Sequence, residues 1–427
     1  MTRSAIRRLA SLMLLALLAA SLPAAGAAAA DPPGVRFATF NASLNRNVAG
    51  QALRELSVPG NTQADAVAEI IQRVRPEVLL INEFDYEPGN ALATAFQTNY
   101  LSRPHNGAAP IDYPYVFVAP SNTGIASGFD LNNNGAIVTT VGAPGYGEDA
   151  LGFGQFPGQF GMAVFSQHPI DYAAIRTFQR FLWKDMPGAR LPDDPATAAP
   201  ADWYSPAELA IFRLSSKSHW DVPIQIGRKT VHFLVSHPTP PVFDGREDRN
   251  GTRNHDEIRF WADYISPGRA SRYIYDDRGT RGGLKPGQPF VIAGDQNSDP
   301  LDGDSIPGSI QQLLDHPLVN TRTTPSSAGG PYWAEVQDAL NDTHRSDPAY
   351  DTADFCDTPA FPPCSGPGNL RADYVLPRKN LRIVDAGVFW PTANDPLVYL
   401  TGTGFPVPSS DHRLVWVDVR LPGATGR

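Results

Sequence analysis

Along this chain, segments of alternating or continuous apolar residues stop repeatedly at a carboxylate, an amide or an imidazole. Residues 35–40 alternate and end at Asn41, which predicts a first strand. Residues 62–74 carry Ala66, Val67, Ile70, Ile71 and Val74 on one stripe of helical period. That spacing predicts an amphipathic helix, capped by Asn61 or Thr62 and stopped by Pro76. Residues 78–81 are continuously apolar and lead into Asn82 and Glu83, the pattern of a buried strand. Strand, helix and strand, with polar groups at both strand ends, predict a layered α/β opening.

The same reading continues downstream. Residues 90–100 form a second amphipathic stretch, and residues 113–118 an aromatic strand. Residues 160–166 and 222–237 read as a strand and a hairpin, the latter turning at Gly227 and Arg228. A helix is expected over 256–265, with Ile258, Trp261, Ala262 and Ile265 on one face. The last strands are expected over 290–293, 374–376, 381–384 and 414–419. Three long insertions, at about 120–159, 176–219 and 322–370, read as loops anchored on a β-rich body. No fixed-period repeat is present. The polar strand ends run from position 41 to 412, so a single domain over 31–427 must bring them together.

Composition changes the picture in three places. Arg3, Arg7 and Arg8 precede an apolar run over 9–22 and the small-residue stretch 23–30, the layout of a secretory signal peptide over 1–30. That run is short for a membrane span, and nothing later approaches one, so a secreted, extracellular protein without a transmembrane segment is expected. The formal charge of −9 disfavours tight non-specific nucleic-acid binding, which needs Lys and Arg against phosphates. It leaves nucleic acid open as a substrate, because a metal ion supplies local positive charge. Cys356 and Cys364, the only cysteines, are expected to form one disulfide stapling a Pro-rich loop.

The candidate chemistry lies at the strand ends: Asn41, Glu83, His237, Asp295 with Asn297, Asp373, and Asp411 with His412. Carboxylates, amide oxygens and His/Asp pairs are what a hard divalent cation and an attacking water need at a phosphoester. Asp295 and Asn297 are two residues apart, so on an extended strand end they point the same way. In order, these motifs resemble the endonuclease/exonuclease/phosphatase superfamily over roughly residues 35–422. Gly294, Asp295, Gln296 and Asn297 look like its G-D-x-N motif, and Ser410, Asp411 and His412 like its terminal S-D-H.

The resemblance implies a four-layer α/β/β/α sandwich of two mainly antiparallel sheets with helices outside. It also implies roles. Glu83, Asn41 and Asp411 would hold Mg²⁺ or Mn²⁺, Asp295 would activate water, and Asn297 would hold a phosphate oxygen. His412, buttressed by Asp373, would stabilise the transition state, and His237 would contact phosphate or leaving group. Asn41 would also position phosphate. Asp85 and Glu87 compete with Glu83, and His232 and His255 with His237.

Other features are weaker. Asp130, Asn132 and Asn134 resemble half of an oxygen-rich calcium loop, so Ca²⁺ is a candidate structural ion there. An EF-hand would need Glu where Val141 stands. Phe153, Phe156, Phe160, Trp183 and Trp203 either line a cleft or tuck onto the core. The expected function is metal-dependent hydrolysis of phosphodiesters or phosphomonoesters, nuclease activity favoured, with Arg246, Arg249, Arg253 and Arg259 as candidate cleft cations. The alternatives are an extracellular phosphatase or lipid phosphodiesterase, or a non-catalytic binding module on the same fold. The partner expected is the phosphoester substrate, with a monomeric chain and no stable protein partner.

Overall fold

The structure, a computed structural model, describes residues 34–337, 340–356 and 366–421, so the expected signal peptide and Cys364 lie outside the described residues. Among the described residues thirteen strands form: β1 Val35–Asn41, β2 Val78–Asn82, β3 Tyr115–Phe117, β4 Met162–Ser166, β5 Arg176–Thr177, β6 His219–Ile226 and β7 Lys229–Ser236. There follow β8 Phe290–Asp295, β9 Ala353–Asp354, β10 Asn369–Leu370, β11 Asp373–Pro377, β12 Arg382–Val388 and β13 Val415–Arg420. One sheet has the order β12-β13-β1-β2-β4-β3 and the other β11-β8-β7-β6-β5, with β9 and β10 a separate pair. Most pairings are antiparallel, and β1 with β2 and β7 with β8 are parallel.

Alternation along each strand builds the layers. Phe37, Val78, Leu80 and Val164 of the first sheet meet Val222, Phe233, Val235 and Val291 of the second in one buried core between the sheets. The residues between them face outward: Ala38, Phe40, Leu79 and Ile81 pack under Val67, Ile70, Ile71 and Val74 of the helix Thr62–Val74. Each such aliphatic side chain contributes roughly 1.5–3 kcal/mol on burial. On the opposite side Leu234, Ile292 and Tyr374 pack under Ile258, Trp261 and Ile265 of the helix Arg249–Ile265. This is the expected helix–sheet–sheet–helix sandwich.

The helix Thr62–Val74 has the expected bounds; Asn61 caps it by accepting from the Ala64 N–H at 3.0 Å, and Arg75 ends it in the left-handed region. The hairpin turns at Gly227 and Arg228 as expected, between β6 and β7. The helix expected over 256–265 instead starts at Arg249. Its first two turns carry Arg253, Asn254, Asp256 and Glu257, a polar run without an apolar stripe, yet all four are buried.

Candidate active site

The parallel pairs β1–β2 and β7–β8, with the antiparallel pair β11–β8, place the polar strand ends at one edge of the sandwich. Asn41 lies opposite Asn82 in the β1–β2 pair, and Asp373 opposite Asp295 in the antiparallel β11–β8 pair. Gly294 makes the close approach possible: a Cβ there would lie 2.0 Å from the Ser236 carbonyl oxygen, and its φ is +147°. The ends of β7 and β8 thereby bring His237 beside Asp295. Glu83 and Asn297, just beyond β2 and β8, adopt φ of 55° and 49°, left-handed values that side chains such as these hold only when their surroundings enforce them.

A chain of contacts crosses the two sheets at this edge. The Asn41 amide donates to Glu83 Oε1 at 3.2 Å and to Asp295 Oδ2 at 3.0 Å. Asp295 Oδ1 accepts the Asn297 backbone N–H at 2.8 Å. Two imidazoles flank the other oxygen, His237 Nε2 at 3.4 Å and His412 Nε2 at 3.6 Å. His412 Nδ1 meets Asp373 Oδ2 at 2.8 Å. Asp411 lies beside this chain, its Oδ1 3.4 Å from the Ser43 hydroxyl.

The electrostatics separate these groups. Burial alone would push His412 down, but the Asp373 and Asp295 carboxylates around it hold it well above the usual imidazole value. His237, buried and close to Lys217 and His412, is held well below it and stays neutral. Asp295 and Glu83 are both raised, first by burial; Asp411 adds to the effect at Glu83. Glu83 and Asp411 line the same cleft, a pair of carboxylates that fits a hard divalent cation. Among the described residues the one His/Cys/Asp/Glu trio with ligand atoms gathered within 4.8 Å is Asp295, Asp373 and His412. In that trio the His412 ring is hydrogen-bonded to Asp373 through Nδ1 and lies 3.6 Å from Asp295 through Nε2, so both ring nitrogens face carboxylates.

The predicted residues do converge, with corrections. Asn41 turns its amide N–H groups to the carboxylates and its oxygen to the Ser43 N–H, so it bridges them instead of ligating. Asp85 is spent on the backbone N–H groups of Arg46 and Phe160, which removes it as a rival to Glu83. His232 pairs with Asp221 and His255 with Asp256, away from the strand-end chain. Asp130, Asn132 and Asn134 accept backbone N–H groups of their own loop, which accounts for their oxygens without an ion. Cys356 lies in the cleft wall.

The candidate cleft arginines are also corrected. Arg253 is buried and donates to the carbonyls of Leu214, Leu151 and Arg213. Arg249 pairs with Glu247 and Glu148, and Arg259 with Asp263. The site opens into a cleft of ≈ 1010 Å³ whose single lining arginine among the described residues, Arg413, is buried over the Trp390 ring; Asp302 and Asp304 stand at its wall.

Three participants were missed. Asn82 Oδ1 accepts from the Thr39 hydroxyl at 3.1 Å and lies 3.4 Å from the Asp295 N–H. Thr352 donates its hydroxyl to Asp373 Oδ2 at 2.9 Å, in the middle of an expected loop. Lys217 is buried beside Glu83 and His237, in a polar run that ends no apolar segment.

Distant likenesses to solved structures accompany this geometry. A structure of an endonuclease/exonuclease/phosphatase from Beutenbergia cavernae DSM 12333 is 15% identical with a TM-score of 0.46, covering 92% of this chain and 72% of that one. A mannosyl-6-phosphatase from Bacteroides thetaiotaomicron is 12% identical at a TM-score of 0.41, covering 91% of this chain and 100% of that one. Beta toxin from Staphylococcus aureus, crystallised with bound magnesium ions, gives 12% and 0.41 at the same coverage. Likenesses this distant say nothing about substrate, and no curated protein sequence matches the chain. A sequence model of the Endonuclease/Exonuclease/phosphatase family, whose members are typically hydrolytic phosphoesterases working with a divalent metal, matches residues 38–412. With the match spanning every strand end of the site, the chain belongs to that family.

Proposed function

We propose that this protein hydrolyses small phosphoesters by metal-assisted attack of water at the β1/β2–β8/β11 edge. The observation that carries the reading is the unbroken chain Glu83–Asn41–Asp295–His412–Asp373 across the two sheets. Asp295 takes the proton of the attacking water, its orientation fixed by Asn41 and the Asn297 N–H. Asn297 and neutral His237 position the phosphoryl oxygens. His412, kept as an imidazolium by Asp373, donates to the oxygen on which charge grows. Glu83 and Asp411 would hold Mg²⁺ or Mn²⁺. Bound there, the cation would polarise a phosphoryl oxygen and offset charge on the leaving oxygen.

A small substrate is favoured over nucleic acid because Arg249, Arg253 and Arg259 are turned inward or paired, which leaves exposed Arg246 alone among the four candidate cleft cations to meet a polyanion. Export to the extracellular space, read from residues 1–30, completes the proposal. The test is hydrolysis by purified protein of plasmid DNA, RNA, a bis-aryl phosphodiester and an aryl phosphomonoester, each with Mg²⁺ or EDTA. Metal-dependent cleavage of either small ester with intact DNA is expected. Nicking of plasmid at a comparable rate would restore the nuclease reading, and no turnover on any of the four would argue against catalysis.

A further inference from the structure

A second cavity of ≈ 440 Å³ opens from the same edge and shares Glu83, His237 and Phe243 with the main cleft. Its volume falls in the range of small-molecule sites. Asp295, His412 and Asp411 are absent from its wall, so it extends from the Glu83 side, away from the group assigned to activate water. Its walls include Leu131, Phe153, Phe160, Tyr204 and Phe212.

Two features of this cavity stand out. Phe243 is 84% exposed with a φ of 66°, and Phe153 is 51% exposed, so two phenyl groups stand open to water at the rim. Lys217, 6% exposed, lines this cavity near the Glu257, Glu83 and Asp295 carboxylates, and among the described residues it donates one hydrogen bond, to the Pro238 oxygen at 3.4 Å. An ammonium can donate three hydrogen bonds. A buried cation beside the phosphate position, followed by open aromatic surface, is the sequence of groups met by a phosphoester that carries a planar ring.

We propose that this side cavity is a leaving-group subsite that receives an aromatic ring on the alcohol side of the phosphoester, stacked against Phe153 and Phe243, with Lys217 facing the phosphoryl group. In-line attack from the Asp295 side puts the leaving oxygen opposite the water, on the side where this cavity opens. The inference rests on the phosphoesterase reading above and narrows its substrate class to aryl or nucleoside phosphoesters.

Binding without turnover tests it. Affinities of the Mg²⁺-loaded protein would be measured calorimetrically for phenylphosphonate against methylphosphonate, and for the non-hydrolysable 5′-methylenephosphonate of adenosine against that of ribose. At least one ring-bearing member should bind about tenfold more tightly than its partner, the scale of aromatic stacking. A preference confined to the first pair identifies a small aryl ring, and one confined to the second a nucleobase. The double variant F153A/F243A, both at exposed positions, should abolish that preference while leaving the ring-free affinities unchanged. Equal affinities within both pairs, or a preference that survives in the double variant, would overturn the subsite alone. Failure of all four anions to bind would overturn the phosphoesterase reading with it.

Discussion

Two buried polar clusters lie side by side in this molecule, and they use their carboxylates in opposite ways. In the helix Arg249–Ile265, Glu257 accepts the Ser216 and Thr239 backbone N–H groups, both at 2.7 Å. Asp256 accepts the Trp183 indole and the Arg190 N–H at the same distance. Three of those four oxygens hold loop segments in place, and the fourth, Asp256 Oδ1, meets the neighbouring His255 ring. At the strand ends, Asp295 Oδ2 instead faces two imidazoles at 3.4 and 3.6 Å, beyond good hydrogen-bond length, while His237 Nδ1 and Asp373 Oδ1 have no partner among the described residues. Buried polar groups without full satisfaction are costly and are kept where something else binds them. Saturation by backbone N–H groups, more than burial or residue type, tells the staple from the reactive group.

That distinction predicts where a loss of activity parts from a loss of stability. The largest effect should come from Asp295→Asn: kcat falls by about 10²–10⁴, the usual share of a general base, with the melting temperature held or raised. Steady-state kinetics with a thermal melt check it, and near-wild-type turnover would remove Asp295 from the scheme. Asp373→Asn should act on His412. The two carboxylates hold that imidazole well above its usual value, so loss of one shifts its titration downward. The alkaline limb of the kcat profile should then move to lower pH, and an unmoved limb would deny the pairing a catalytic part.

Glu257→Gln should do the reverse of Asp295→Asn. It sets an amide N–H against a backbone N–H and should cost about 1–3 kcal/mol of stability, read by denaturant unfolding, while the dependence on metal concentration is kept. The smallest effect is expected at Asp130→Ala, within about 0.5 kcal/mol, because that loop is exposed. A Ca²⁺-dependent rise in melting temperature that this variant abolishes would restore the calcium reading of the loop.

Much of this was legible because strand ends announce themselves. An apolar run broken by Asn41, Glu83, Asp295 or Asp373 marks both the element and the place where its side chain can face a ligand. The four layers follow from the same alternation. The start of the helix Arg249–Ile265 was hidden because its buried face is polar there, so its hydrophobic period vanishes where tertiary hydrogen bonds replace apolar packing. Thr352 and Lys217 sit inside loops, and only the folded chain shows what they meet. The Arg246-to-Arg259 segment misled for the same reason, since a charge pattern does not reveal which way a helix faces.

The most direct test titrates Mg²⁺ into metal-stripped wild-type, Glu83→Gln and Glu257→Gln proteins and follows hydrolysis of a bis-aryl phosphodiester. Turnover that requires metal in the wild type, keeps its metal dependence in Glu257→Gln and needs at least tenfold more metal or fails in Glu83→Gln is the predicted result, on the scale of losing a charged ligand. Metal-independent turnover, or a Glu83→Gln protein with the wild-type metal requirement, would contradict the assignment of this edge as the catalytic centre.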